Sequence, residues 1–302
     1  MPLFHVHGLV AGFLAPLVAG GSVWCAPGFQ AGRFLAWLHE SQATWYTAVP
    51  TMHQTILLRS RRHAELLRSH RLRFTRSCSA ALPDAVWTRL RETLGVPIVQ
   101  AYGMTEAAHQ ISSTSLADRP DEMGSVGKST GPEIAIMDQQ GNLYARGTKG
   151  EVVLRGESLI RGYESPSEAN NTSFHGDWFR TGDEGYMDDG GNLRLTGRLK
   201  ELINSGGEKI SPYEVEEVLL SHPKVREAVT FPIPHALLGE AVGSAVVLDA
   251  EAHVTAAALR QWLRERLPRH KIPKRIEIVA HLPRGSSGKL QRIGMAERLG
   301  LV

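Results

Sequence analysis

The sequence predicts a mixed architecture, α/β plus α+β: an α/β layer, then a β-rich region, then a small α+β domain. Three observations carry that reading. Over residues 1–112, short apolar runs alternate with helical stretches, the pattern of a parallel sheet covered by helices. From 113 to 198, glycine-rich turns cut the chain into short strands, as in "EIAIMDQQGNLYARGTKGEVVLRG" and "WFRTGDEGYMDDGGNLRLTGR". That suits a small β-barrel or a curled sheet. From 199 to 302, amphipathic helices and strands alternate again, joined to the rest through "GRLKEL".

The opening "MPLFHVHGLVAGFLAPLVAGGSVW" is part of a stretch with no Asp, Glu, Lys or Arg before Arg33. It lacks the basic n-region of a secretory signal. It is long enough to span a bilayer, but Gly8, Gly12, Pro16, Gly20 and Gly21 interrupt it. The expectation is a buried helix over roughly Leu9–Val18, turning at Gly20-Gly21 into a buried strand Ser22–Ala26. Strands follow at Thr44–Ala48, Phe74–Ser77 and Ile98–Ala101, with helices at Phe34–Ser41 and Asp84–Leu94. In the last domain, "SPYEVEEVLLSH" places Ser211 as N-cap, Pro212 at the first helical position and Glu214 three residues after the cap, a capping box. "TAAALRQWLRERLP" turns Leu259, Trp262, Leu263 and Leu267 inward, and "REAVTFPIP", "EAVGSAVVL" and "RIEIVAHLP" read as strands.

Composition narrows the function classes. With 42% hydrophobic and 22% charged residues the chain is globular rather than disordered. Cys25 and Cys78 provide no disulfide framework. A net charge of +3 is too small to argue for nucleic acid. Seven arginines between Arg59 and Arg76 face Glu65 alone, but no stacking aromatics alternate with them as single-strand binders require. The expectation is a solvated helix face and the loop after it.

Chemistry-bearing residues cluster at strand ends and in loops. "SCSAALP" follows a strand and can lie against a flat ring. "AYGMTEAAH" puts Thr105 and Glu106 directly after a strand, where open α/β sheets bind ligands. A hydroxyl there suits a phosphate oxygen, and a carboxylate suits Mg²⁺. Asp183 in "WFRTGD" can accept from a ribose diol or bond its own turn. The glycine pair in "GRLKELINSGGEKISPYE" lets a slender ligand come close. "LPRGSSGKLQR" presents Lys289 on a Gly/Ser loop that lacks the spacing of a phosphate-binding P-loop. His5 and His7 form an H-x-H pair without further ligands at metal spacing.

Taken in order, "PLFHVHGL", "AYGMTE", "GEVVLRGESLIRGY", "WFRTGD", "GRLKELINSGGEKISPYEVE" and "LPRGSSGKLQR" resemble the adenylate-forming acyl-CoA synthetases, the superfamily of 4-coumarate–CoA ligases and firefly luciferase. The resemblance covers essentially the whole chain. It implies a two-step reaction: a carboxylate and ATP give acyl-AMP and pyrophosphate, and coenzyme A then displaces AMP. It implies ATP, Mg²⁺ and coenzyme A as partners beside a small carboxylic acid, and neither nucleic acid nor a membrane.

Carried over motif by motif, Thr105 binds phosphate and Glu106 holds Mg²⁺. Ser79, Ala80, Ala81, Tyr102 and Gly103 flank the nucleotide. Asp183 takes the ribose hydroxyls, with Arg198 nearby. Lys289 bridges the attacking carboxylate and the nucleotide. The small domain turns about Lys200, and Gly206, Gly207 and Glu208 face the pantetheine channel. His5 borders the acyl pocket. Within the family, "PLFHVHGL", "TWYTAVPTMHQ", "RSCSAALP" and "MTEAAHQIS" look like the oxalate–CoA ligase branch, with Ser77 and His109 placed to hold a second carboxylate; a medium-chain or aryl acid is the alternative.

The family also has a Ser/Thr/Gly-rich, Lys-ended loop upstream of "PLFHVHGL". By resemblance, then, residue 1 is expected inside the large domain, and the apolar opening is expected to be core. That leaves a second reading of another class: a non-catalytic fragment, or one half of a two-chain enzyme whose N-terminal half is another chain, binding only AMP or coenzyme A. The C-terminal "LGLV" is not a peroxisomal signal, and a cytoplasmic location is the default.

Overall fold

The computed structural model describes residues 1–60, 65, 67, 69–117, 122–250, 252–284 and 290–301. The chain divides into two units, Met1–Leu195 and Thr196–Val302. Among the described residues no helix is long and apolar enough to cross a membrane.

The first unit holds a five-stranded sheet of order β1-β2-β3-β4-β5: Trp45–Ala48, Phe74–Ser77, Ile98–Met104, His109–Ser113 and Lys128–Ser129. The pairs β1/β2 and β2/β3 are parallel, whereas β3/β4 and β4/β5 are antiparallel. The sheet is therefore mixed rather than wholly parallel. Only the turn Thr105–Ala108 joins β3 to β4, and a parallel crossover needs a dozen residues or more.

Helices Ala31–Ser41, Pro50–Ser60 and Asp84–Leu94 pack a core of Leu35, Leu38, Leu57, Leu90, Leu94 and Ile98. The helix Asp84–Leu94 follows from its sequence. Val86, Leu90 and Leu94 recur at helical spacing and are buried. Asp84 stands in the first turn, and Gly95 closes the helix in a left-handed conformation, φ 64°, which only glycine adopts freely.

The opening segment departs from expectation. His7–Leu14 forms a π-helix continued by a short α-helix Ala15–Val18. Only His7, Gly8 and Ala11 are buried; Leu3, Phe4, Leu9, Leu14, Leu17 and Val18 are exposed. Residues 22–26 form no strand and are largely exposed. Apolar content gives a strand only where a neighbour satisfies its backbone, and no described strand pairs with this stretch.

A second sheet runs β10-β9-β7-β6, with β8 on β9: Leu193–Arg198, Trp178–Met187, Gly150–Arg155, Glu133–Met137 and Phe174–His175. Of the two expected forms, the structure has the open sheet and not a closed barrel, because no pairing joins β6 to β10 among the described residues. Ile136, Val152, Leu154, Phe179 and Leu193 form its core.

The second unit is built on β12-β11-β14-β13, with β15 beside β14: Glu208–Ile210, Ile203–Ser205, Gly239–Leu248, Val225–His235 and Arg275–Ile278. Helices Pro212–Leu220 and Ala256–Arg264 help bury Ile203, Ile210, Val215, Leu219, Val246, Leu259 and Leu263. Thr255 caps the second helix, its Oγ1 accepting from the Ala258 amide at 3.2 Å. The capping box at Ser211 does not form. Ser211 Oγ instead donates to the Thr196 carbonyl at 2.5 Å, and Glu214 pairs with Lys271 at 2.7 Å.

Candidate active site

The loop between β3 and β4 is built on a close backbone approach. A Cβ on Gly103 would sit 1.6 Å from the His109 carbonyl oxygen, so only glycine fits. The ladder shifts register between Tyr102 and Gly103. Ala108 and His109 take positive φ, 49° and 92°, conformations that L-residues hold only when the surroundings enforce them. The result leaves Thr105 exposed and Glu106 half-buried. Glu106 is fixed from both ends: Tyr163 Oη donates to its Oε1 at 2.9 Å, and its carbonyl accepts from the Ile160 amide at 2.9 Å.

Tyr102 and Asp183 are brought together from different sheets. The Tyr102 hydroxyl donates to Asp183 Oδ2 at 2.6 Å. Asp183 follows Gly182, whose φ is 72°, and its amide donates to Thr181 Oγ1 at 3.0 Å. Buried Glu151 holds this corner. Its Oε2 accepts from Arg180 Nε at 2.8 Å and Nη2 at 2.5 Å, and its Oε1 accepts from the Gly182 amide at 3.0 Å. An aromatic ring and a positioned carboxylate side by side are what a purine nucleoside needs.

The opening helix brings His7 to the end of the first sheet. His7 Nδ1 lies 2.9 Å from Ser79 Oγ, and Nε2 lies 2.6 Å from Thr47 Oγ1. Its ring stacks on His109, with centroids 5.5 Å apart and planes at 14°. Ser79 has φ 74°, and Ala80 and Ala81 beyond it are exposed. Arg76, expected in a solvated run, is buried, with 6% of its surface exposed. Its Nη2 donates to Gln110 Oε1 at 2.9 Å and to His109 Nε2 at 3.1 Å, and its Nη1 donates to Thr47 Oγ1 at 3.4 Å.

A guanidinium only donates, so His109 accepts at Nε2, carries its proton on Nδ1 and is neutral. Burial, with the Arg76 charge adding to it, pushes His109 down to about 4. It can therefore donate a hydrogen bond, but not act as the cation.

Ser77 stands apart from this cluster. It follows Arg76 in β2, and successive strand residues face opposite sides. Its Oγ is buried without a hydrogen-bond partner. Ser77 and His109, paired in the sequence reading, thus stand apart. His5 is half-buried, beside Phe4 at 4.6 Å between centroids, and its Nε2 has no partner.

Glu106 fits a hard cation. No group of three His, Cys, Asp or Glu converges on any point among the described residues, and Mg²⁺ needs only one or two carboxylates when phosphates and water complete its shell.

In the second unit, Arg198 ends β10 and Lys200 lies exposed in the short turn Leu199–Glu201. Gly206 and Gly207, with φ 62° and 93°, turn β11 into β12, which exposed Glu208 opens. Lys289 lies outside the described residues. Nearby in sequence, Arg292 pairs with Glu216 at 2.7 Å and with Glu201 at 2.9 Å.

Sequence reasoning missed Arg76, His7, Thr47, Glu151 and Tyr163. Tyr163 stands within the motif "GEVVLRGESLIRGY" and was there to be found. The others depend on strand pairing.

The family model described as AMP-binding enzyme matches residues 1–164, and that of the AMP-binding enzyme C-terminal domain matches residues 214–289. The oxalate–CoA ligase of Arabidopsis thaliana is 46% identical over 97% of this chain and 57% of its own length. The sulfoacetate–CoA ligase of Cupriavidus necator is 38% identical over 97% of this chain and 57% of its own. Among solved structures, ATP-bound MatB from Rhodopseudomonas palustris superposes with a TM-score of 0.90 at 29% identity, covering 99% of this chain and 59% of that one. The chain thus spans a little over half the length of the relatives it matches. It belongs to the AMP-binding enzymes, the superfamily of adenylate-forming acyl-CoA synthetases.

Proposed function

We propose that this chain carries the nucleotide and acid sites of an ATP-dependent acid–CoA ligase. The Tyr102–Asp183 pair, 2.6 Å apart, carries the reading: it sets a ring face for adenine beside a carboxylate for the ribose. Thr105 reaches the α-phosphate. Glu106, oriented by Tyr163, holds Mg²⁺, which supplies positive charge at the phosphate oxygens. Both half-reactions build charge on oxygen, so fixed donors and cations carry most of the catalysis. Lys289 serves the first half-reaction by bridging carboxylate and nucleotide. Rotation about Lys200 then exchanges it for Gly206, Gly207 and Glu208, which admit the thiol arm. His5 and His109 border the acid.

The acid is short and carries a second anionic group, as oxalate does. The polar cluster of His7, Ser79, Arg76 and His109, with a buried guanidinium charge that no carboxylate among the described residues offsets, supports this, because a fatty chain offers that charge nothing. The names of the oxalate and sulfoacetate relatives point the same way. No finding favours the binding-only alternative.

The reverse of the second half-reaction tests the proposal without involving the β- and γ-phosphates. With AMP and Mg²⁺, the chain should release free thiol from oxalyl-CoA faster than from acetyl-, octanoyl- or cinnamoyl-CoA. Absence of AMP-dependent release from every thioester contradicts the ligase reading. Equal rates on cinnamoyl-CoA remove the short acid alone.

A further inference from the structure

Arg76 is a buried cation. Its hydrogen-bond partners are the Thr47 hydroxyl, the Gln110 amide oxygen and neutral His109, and Cys78 lies two residues on in the chain. Among the described residues no carboxylate pairs with it. Holding a charge in that position costs several kcal/mol unless an anion compensates it. Two further observations show that the surroundings are built rather than incidental. His109 is held at φ 92° with its Nε2 turned onto the guanidinium, which leaves its proton on the other nitrogen. His7 stacks on the His109 ring and reaches both Thr47 and Ser79. The cluster occupies one face of β1 and β2, since Thr47 and Arg76 are register partners. The helix-packed core lies on the other face.

We propose that Arg76 is the counter-charge for the second anionic group of the acid, a carboxylate or sulfonate one or two bonds from the reacting carboxylate. The assignment rests on the acid–CoA ligase reading and adds the residue that sets its substrate class. With both Nη2 hydrogens given to Gln110 and His109 and one Nη1 hydrogen to Thr47, the guanidinium meets an oxyanion with its charge and its remaining Nη1 and Nε hydrogens. The charge comes from Arg76, while neutral His109 donates from Nδ1. A monocarboxylic acid offers nothing to pair with the buried charge, so the pocket discriminates against acids that lack the second anion.

Calorimetric titration of oxalate, sulfoacetate and acetate onto the chain saturated with AMP tests this, for the wild type, Arg76→Met and Arg76→Lys. Oxalate or sulfoacetate should bind the wild type more tightly than acetate does, and which of the two binds better identifies the geometry. Arg76→Met should weaken the favoured dianion at least about tenfold and leave acetate unchanged. Arg76→Lys, keeping the charge without the planar guanidinium, should fall between the two. Circular dichroism of unliganded Arg76→Met checks that the variant is folded, since it loses a buried charge but also leaves the Gln110 and His109 acceptors without that donor. Equal weakening of acetate and dianion, an unchanged dianion affinity in Arg76→Met, or no preference for dianions in the wild type overturns the proposal. Should Arg76→Met not fold, the Arg76→Lys selectivity decides alone. Failure of AMP itself to bind counts against the ligase reading instead, and the acid titrations without AMP then judge Arg76 separately.

Discussion

Two buried histidines make the first unit sensitive to acid. Burial lowers His53 from 6.5 to about 4, and burial together with Arg76 does the same to His109. Both are neutral in the folded state above pH 4, while the unfolded chain takes up protons as pH falls through 6.5. Between those values the unfolded state binds more protons, so stability rises with pH. Each histidine contributes a slope of up to about 1.4 kcal/mol per pH unit. Melting temperatures measured from pH 7 to pH 4 should fall steadily, and less steeply in His109→Gln. A flat profile means that neither ring is buried as described. At the same scale, Lys289→Ala should lower ATP-dependent pyrophosphate release by at least about a hundredfold while sparing AMP-dependent thiol release; equal loss in both removes its role in adenylation. Thr105, Glu106 and Asp183 could be named from the sequence because each stands in a local motif; Lys289, named in the same way, lies outside the described residues. Arg76 was not, because its burial follows from β1 pairing with β2, and in the sequence it ends a run of arginines that reads as solvated.

Strand β9 is aimed by Glu151 rather than by its own turn. That carboxylate ties Arg180 and the Gly182 amide at once, one residue before Asp183. Glu151→Gln loses the ionic part of both bonds and should destabilise the first unit by about 2 kcal/mol. It should also weaken AMP binding about three- to tenfold without touching the ligand. Unchanged AMP affinity in a folded Glu151→Gln protein contradicts this positioning. Gly103→Ala is harsher: its Cβ meets the His109 carbonyl, so β3 and β4 must separate and little soluble protein is expected. Elements with their own local signals were legible. Phe74–Ser77 and Asp84–Leu94 occur as expected, the helix marked by its apolar spacing and its closing Gly95. The expected strand Ser22–Ala26 and the capping box at Ser211 failed because other partners decide them. The strand has no described neighbour, and Ser211 finds the Thr196 carbonyl.

At the scale of the whole chain, the second unit has a core of its own, with Ile203, Ile210, Val215, Leu219, Leu259 and Leu263 fully buried. Within it Arg292 joins Glu201, next to Lys200, to Glu216 on the helix Pro212–Leu220. Residues 196–302 expressed alone should therefore unfold cooperatively by circular dichroism; a gradual melt means that the core is insufficient. Lys200→Pro, which fixes φ near −65° and removes a backbone donor, should impair thioester formation more than adenylation if the linker turns there. The Lys200 expectation depends on the first unit being a nucleotide site. Calorimetric AMP binding to the 302-residue chain, compared between wild type and Asp183→Asn, measures that most directly. The account predicts that the wild type binds AMP and that Asp183→Asn, equal in shape but without the charge, binds at least about tenfold more weakly. No AMP binding by the folded wild type, or equal binding by the two proteins, would contradict it.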